Sequence, residues 1–296
     1  MELLNNCPSC NSTWLKLSLK SQDYFLSQEE FEIAECNNCG LRFTNPRPDI
    51  QNSIRYYDST EYISHDTSKK ELLTLVYTYA RKFMLKKKFS VVNRFIKGKN
   101  ILDIGCGTGE FLNYCKEQKL NAFGVELNRK PREAAAANYS LDVREKITDF
   151  APKNLKFDCI TLWHVLEHIH DLNESMEAIN KFLAPGGVLI IALPNCNSWD
   201  ALKYGKFWAA YDLPRHLYHF NKTSFQYFAR LHQMKIVKTL PQILDSFYIS
   251  LLSEKYKSRK SNLSRAFVNG AISNSKAKNP ETGYSSHIYI LYPEIS

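Results

Sequence analysis

The amino-acid sequence predicts an α/β protein, a doubly wound and mostly parallel sheet with a small cysteine ribbon in front of it. Three observations carry this. From residue 100 onward, strand-like apolar runs alternate with helical segments, the pattern of parallel strands joined by crossover helices. The first of those runs ends in ILDIGCGTGEFL, with glycines at 105, 107 and 109. Ahead of it, four of the eight cysteines stand as two Cys-x-x-Cys pairs, Cys7 with Cys10 and Cys36 with Cys39.

The ribbon occupies residues 1–45. Two Cys-x-x-Cys turns separated by about 25 residues bring four thiolates around one zinc ion. Gly40 suits the tight turn after the second pair, and WLKLSLKSQDYFLSQEEFEIAEC between the pairs has the short alternating runs of strands. With all four ligands supplied by protein, Zn2+ has no open position, so its expected role is structural. Disulfides are the alternative, and a reducing cytoplasm disfavours them. Cys106, Cys115, Cys159 and Cys196 are scattered and read as small core residues.

Residues 46–97 form a linker and a helical segment. TNPRPDIQNSIRYYDSTEYISHD, at 44–66, has the linker composition. Residues 68–96 are helical by pattern, with Leu72, Leu75, Val76, Tyr79, Phe83, Val92 and Phe95 as the apolar face. Lys86, Lys87 and Lys88 then fall on the wet side.

The large domain is expected at 98–296. NILDIG, NAFGVEL and LKFDCITLWHV read as strands, as does VLIIALP after a turn at LAPGG. GEFLNYCKEQ, NRKPREAAAANY and LNESMEAINKFL read as the intervening helices. Ligands of such sheets bind at the carboxyl ends of the strands, which is where the three glycines stand. They let the backbone pass tightly beneath a ligand and present N–H groups at a helix start. The spacing Gly-x-Gly-x-Gly departs from the dinucleotide fingerprint. Asp103, two residues ahead of the first glycine, repels a pyrophosphate and suits a cation. Glu126 ends the second strand 21 residues after Gly105, where a carboxylate accepts from both hydroxyls of a ribose. The ligand so described has an amino acid, a ribose and a base, without phosphates.

Composition sets limits. Of 296 residues, 44% are hydrophobic and 23% charged, which places the chain among globular proteins with a buried core. No basic segment followed by an apolar one opens the sequence, so no secretory signal is expected. No apolar run reaches the roughly 18 residues of a membrane span, and the expected location is the cytoplasm. The formal charge of +9 is concentrated at the C-terminal end, where residues 221–296 carry 11 Lys/Arg against 4 Asp/Glu. That distribution argues against a nucleic-acid-binding domain. It suits an acidic ligand or an anionic membrane surface, and equally a solvated helix face.

In order, DIGCGTGEF, GVEL, FDCITLWHVLEHIHD and LAPGGVLIIALPN resemble the motifs of class I S-adenosylmethionine-dependent methyltransferases. YDLPRHLYHF, followed by a helix at TSFQYFARL, resembles the ubiquinone-biosynthesis O-methyltransferase subgroup. The resemblance covers about 98–240 and the closing strand SHIYILYPE. It implies a seven-stranded Rossmann-like sheet. It also implies that Asp103, Gly105, Cys106, Gly107 and Gly109 hold the methionine part of S-adenosylmethionine and that Glu126 and Leu127 hold the ribose. Ile147 and Thr148 then lie by the adenine, and Trp163 and His164 border the sulfonium. Two departures stand out. His232-Gln233-Met234 replaces a usual glycine turn, and a basic insert occupies about 244–282.

Transfer to an alcohol or phenol benefits from a base, and histidine is the usual one. The candidates are His216 first, then His164, at the strand end where substrate and cofactor meet, and His219, which shares with His216 an aromatic-rich loop, WAAYDLPRHLYHF. His168 reads more simply as a capping or packing residue. Asp212 and Arg215 either orient an imidazole or bind a substrate anion. Trp199, Phe207, Trp208 and Tyr211 form an apolar lid or fill core. No Asn/Asp-Pro-Pro-Tyr/Phe signature follows the fourth strand, which argues against DNA adenine methylation. The expected activity is O-methylation of a small or lipid-linked acceptor, phenolic, quinone-like or glycan. The basic segment offers peripheral membrane contact. The alternatives are a nucleic-acid-modifying enzyme, a sugar C-methyltransferase, or a noncatalytic scaffold that retains the cofactor fold.

Overall fold

The computed structural model describes residues 1–57, 71–260, 262–279 and 281–294, with side chains of the helix at 71–80 left aside. The predicted linker residues 58–66 and the helix-face residues Leu72, Leu75, Val76 and Tyr79 lie outside this description.

The described residues form two compact bodies. One draws on residues 1–59, 164–173 and 192–289, the other on 60–163, 174–191 and 290–296. The first begins with the ribbon. β1 (Leu15–Gln22) pairs antiparallel with β2 (Glu30–Cys36), and β2 pairs antiparallel with β3 (Arg42–Thr44). β2 alternates only over its first half: Phe31 and Ile33 are buried, Glu30 is exposed and Glu32 half-buried, and the pattern then slips by one, with Ala34 and Cys36 buried about a half-buried Glu35. Beyond it, Asp49 caps a helical turn at Ile50–Ser53 by accepting from the Asn52 N–H.

The second body contains α1 (Glu71–Phe95), β4 (Asn100–Ile104), α2 (Glu110–Glu117), β5 (Asn121–Val125), α3 (Arg129–Tyr139), β6 (Asp142–Arg144) and β7 (Phe157–Trp163). α4 (Leu172–Phe182) and β8 (Leu183–Pro194) follow. Leu172, Met176 and Ile179 are its buried stripe, a helical repeat that seats α4 by apolar burial. β8 starts earlier than expected. The LAPGG segment read as a turn belongs to the strand, with Gly186 at φ +73° supplying the irregular step.

Residues 195–294 carry α5 (Trp199–Tyr204), β9 (Tyr218–His219), α6 (Lys222–Leu231), β10 (Met234–Pro241), α7 (Asp245–Ser258), α8 (Leu263–Lys276) and β11 (Ser286–Pro293). The basic insert is therefore mostly a pair of helices, α7 and α8. Asn221 and Ser224 cap α6 reciprocally. At its end Gln233 takes φ +55°, the left-handed conformation for which glycine is favoured.

The large sheet has seven strands in the order β10-β11-β8-β7-β4-β5-β6. β4 is parallel to both β5 and β7, and β5 to β6. β4 carries Ile101, Leu102 and Asp103 into the interior, and β7 is buried along most of its length. Such continuous burial is what a strand covered on both faces shows. Cys106, Cys115, Cys159 and Cys196 are buried and unpaired, as expected of core thiols. No helix among the described residues is long and apolar enough to cross a membrane.

Candidate cofactor loop, cysteine cluster and histidine loop

The loop after β4 takes its shape from its glycines. Gly105, Gly107 and Gly109 have φ of +72°, +55° and +83°, a region that costs an L side chain about 1–2 kcal/mol. Gly109 is also tightly enclosed: a Cβ there would stand 2.8 Å from both Ala135 Cβ and Leu141 Cδ1. At Gly107 a Cβ would meet nothing within 4 Å. One glycine packs the loop onto its neighbours, and the other leaves an open flank beside the backbone.

Two carboxylates frame the loop. Asp103 is buried and accepts a 2.5 Å hydrogen bond from the Thr161 hydroxyl. Burial raises its pKa to about 6, against the lowering effect of Lys88 and Thr161. Glu126 is also buried; its Oε2 accepts from the Gly107 N–H and its Oε1 from the Asn128 N–H, both at 2.9 Å. Each oxygen keeps a lone pair for a further donor. This fits a polyol such as a ribose, and the open flank at Gly107 fits a ligand lying against the backbone. Trp163 ends β7 with 8% exposure and stacks edge-on to Phe111, centroids 5.8 Å apart. Leu127 is exposed, and Ile147 and Thr148 start the 3-10 turn after β6.

Lys88 corrects the sequence reading. It is half-buried, with Nζ 5.1 Å from the Trp163 ring centroid and 5.7 Å from that of Phe111. Lys86 and Lys87 are exposed as expected. One position in a helical repeat is enough to turn a lysine stem onto aromatic surface while its neighbours stay wet.

In the ribbon, Cys7, Cys10, Cys36 and Cys39 place their sulfurs within 4.8 Å of one another. The Cys7–Cys39 and Cys10–Cys36 separations are 3.5 and 3.6 Å. Sulfurs at about 2.3 Å from a tetrahedral zinc stand about 3.8 Å apart, so the donor set fits that ion. The hydrogen bond from the Cys7 thiol holds the Cys39 thiol down to about 5, so a thiolate is already favoured among these four ligands. Gly40, at φ +73°, closes the second knuckle with its N–H on the Cys36 carbonyl.

The histidines of the first body are in three different states. His164 adopts φ +58° at the end of β7, a strained conformation for a side-chain-bearing residue. Its Nε2 lies 3.2 Å from Asp245 and its Nδ1 3.5 Å from Glu167. Burial alone would lower its pKa, but these two carboxylates outweigh it and raise it to about 10. His168 donates its Nδ1–H toward the Arg215 carbonyl at 3.0 Å, and burial, reinforced by His216, brings it down to about 4. Burial takes His219 well below its ordinary value. His216 donates Nδ1–H to the Ala210 carbonyl at 2.8 Å, which leaves Nε2 with a lone pair in the uncharged ring. Asp212 lies 4.0 Å from that Nε2.

Glu167 has neither carboxylate oxygen hydrogen-bonded, is 1% exposed, and forms with His168 and His216 a group whose ligand atoms lie within 4.8 Å. These donors can accept a proton or hold a cation. Sequence reasoning passed over Glu167, although its place between His164 and His168 was the available signal.

Arg215 does not offer itself to a substrate anion. Its five N–H groups go to Asp212, Asp23 and the Tyr56 carbonyl. Trp208 and Tyr211 fill core, Trp208 donating to the buried Asp200 at 2.8 Å, while Trp199 and Phe207 are half-buried.

A family described as "Methyltransferase domain" matches residues 78–238, more than half of the chain. A ubiquinone biosynthesis O-methyltransferase of Pseudomonas aeruginosa is 27% identical over 111 residues, 34% of this chain and 47% of that protein. The protein of the same description from Bartonella tribocorum is 32% identical over 119 residues, 38% of this chain and 48% of that one. The matched stretch thus spans about half the length of these relatives. Among solved structures, the magnesium protoporphyrin IX methyltransferase of Synechocystis with bound SAM aligns over 84% of this chain and all of that one, with 12% identity and a TM-score of 0.48. A SAM-dependent methyltransferase from Archaeoglobus fulgidus aligns over 71% and 93%, with 18% identity and a TM-score of 0.47.

Proposed function

Because the chain belongs to the methyltransferase-domain family, we propose that it transfers a methyl group from S-adenosylmethionine to an oxygen of a small or lipid-linked acceptor. The observation that carries this is the loop itself: three left-handed glycines, one with an open flank, between two buried carboxylates. Asp103 supplies negative charge for a cationic amino acid group. Glu126 accepts from ribose hydroxyls with the lone pairs its backbone donors leave free. Ile147 and Thr148 are assigned to the adenine, and Trp163 offers an aromatic face to a cationic sulfur. Zinc in the four-cysteine cluster is part of the same proposal, with a structural role.

S-adenosylmethionine supplies an electrophilic methyl carbon on a sulfonium. The acceptor oxygen forms the new C–O bond, the C–S bond breaks with its electron pair left on sulfur, and S-adenosylhomocysteine departs. The hydroxyl proton is assigned to His216 Nε2, whose lone pair the Ala210 hydrogen bond leaves available. Asp212, 4.0 Å away, stabilises the imidazolium that results. His164, raised to about 10, is cationic at neutral pH and serves as fixed charge rather than base. His219 keeps an uncharged ring.

The O-methyltransferase names of the relatives support an oxygen acceptor. A lipid-linked one is supported by α7 and α8. Leu244, Tyr248, Leu263, Phe267 and Val268 are exposed there, flanked by the exposed Lys255, Lys257, Arg259, Lys260 and Arg265. Apolar side chains rimmed by cations suit an anionic lipid surface. The experiment uses methyl-labelled S-adenosylmethionine with fractionated lipid and soluble extracts as acceptors. Label should appear in a small hydroxylated or lipid product, and His216→Ala should lower turnover by about a hundredfold while cofactor affinity is kept. Label in RNA or DNA alone, or none in any fraction, would overturn the proposal.

A further inference from the structure

The ribbon does not end at its own third strand. β9 pairs antiparallel with β3, Arg42 opposite His219 and Phe43 opposite Tyr218. The ribbon, with Arg47 just beyond it, holds every position from 215 to 219. Asp23, fully buried between β1 and β2, pairs with Arg215 at 2.9 Å. Thr44 donates its hydroxyl to the His216 carbonyl at 2.7 Å, and its backbone N–H to the Leu217 carbonyl at 3.0 Å. Arg47 donates to the Tyr218 hydroxyl at 2.9 Å. His219 Nε2 lies 3.2 Å from Thr44 Oγ1.

A threonine hydroxyl has one proton. Thr44 gives it to the His216 carbonyl, so the contact with His219 must run from Nε2–H to Thr44 Oγ1. Thr44 thereby fixes the His219 tautomer, proton on Nε2 and lone pair on Nδ1, and anchors the backbone of His216 in the same stroke. β3 is three residues long and begins three residues after Cys39. A strand so short holds its place through what flanks it, and a structural metal contributes folding energy outright.

We infer that the four-cysteine ribbon is a metal-dependent frame for the histidine loop at 215–219, and that Thr44 is its positioning residue. The functional weight of this rests on His216 being the base, but the coupling itself is independent of methyl transfer. Metal release frees β3, and the loop loses its partner strand and its tautomer setting together. The cofactor residues 103–126 belong to the other compact body and keep their structure.

The test is amide hydrogen exchange on the zinc-loaded protein and on the same protein stripped by a chelator. Exchange at 215–220 should accelerate by about tenfold or more together with 30–44, with 101–126 unchanged. Acceleration confined to the ribbon, or spread equally over 101–126, overturns the inference. A second arm keeps the metal in place and reads the histidine 15N shifts. Thr44→Val should turn the His219 signal from a single Nε2–H tautomer to a mixture, and Thr44→Ser should restore it. An unaltered tautomer in Thr44→Val overturns the positioning role.

Discussion

Alanine at Gly109 and at Gly107 should have very different effects, although both glycines share one loop and one backbone region. At Gly109, φ +83° strains any side chain, and the new methyl would stand 2.8 Å from Ala135 Cβ and Leu141 Cδ1. The conformational strain is about 1–2 kcal/mol, and overpacking a filled site adds about 1–3 kcal/mol. Reduced freedom of the unfolded chain returns under about 1 kcal/mol. The net is about 3 kcal/mol, which for a chain of this size lowers the melting temperature by about 6–12 °C. At Gly107 the strain is similar, but the methyl meets nothing within 4 Å, leaving a net cost of about 1 kcal/mol. That is a drop of about 2–4 °C. The methyl at 107 instead enters the flank assigned to the cofactor, so S-adenosylmethionine binding should weaken by about tenfold or more in the more stable of the two variants. Thermal unfolding by circular dichroism and calorimetric titration decide the matter. Equal melting temperatures, or undiminished binding by Gly107→Ala, would refute the assignment of the loop's two faces.

Three further outcomes follow from the charged groups. Asp103, with its pKa raised to about 6, binds a cationic ligand only when ionised. Affinity for S-adenosylmethionine should therefore be flat above pH 7 and about tenfold weaker at pH 5, and Asp103→Asn should abolish that dependence; a wild type insensitive to pH 5 contradicts it. His164 is raised to about 10 from an ordinary 6.5, so its contribution to stability is complete below pH 6.5 and lost as the pH rises to 10. His164→Gln should flatten that decline in urea titrations, and an unchanged slope removes the ion pairs with Asp245 and Glu167 from the account. Asp23→Ala leaves Arg215 buried with part of its partners gone, at a cost of about 3 kcal/mol; a melting temperature within a degree of wild type contradicts the pairing.

What the sequence made legible was whatever is written locally. The Cys-x-x-Cys pairs report themselves through spacing, because ligands on a tight turn must be near neighbours. The glycine loop does so because left-handed backbone selects glycine, and the alternation of strands and helices gives the sheet. Gln233 shows the limit of that rule, since it holds φ +55° without being glycine. The site around the histidines was legible only as a set of candidates. What distinguishes His164, His216 and His219 is which groups surround them, and those come from afar: Thr44 reaches His219 across 175 positions and Asp23 reaches Arg215 across 192. Lys88 was misplaced for the same reason, as helical periodicity gives a face but not what that face meets.

The most direct test is calorimetric titration of the purified protein with S-adenosylmethionine, run beside Glu126→Gln. The wild type should bind one equivalent, and the variant, which keeps the shape but lacks the full acceptor set for the ribose, about tenfold or more less tightly. No heat of binding in the folded wild type, or equal affinity in the two proteins, would contradict the account at its centre.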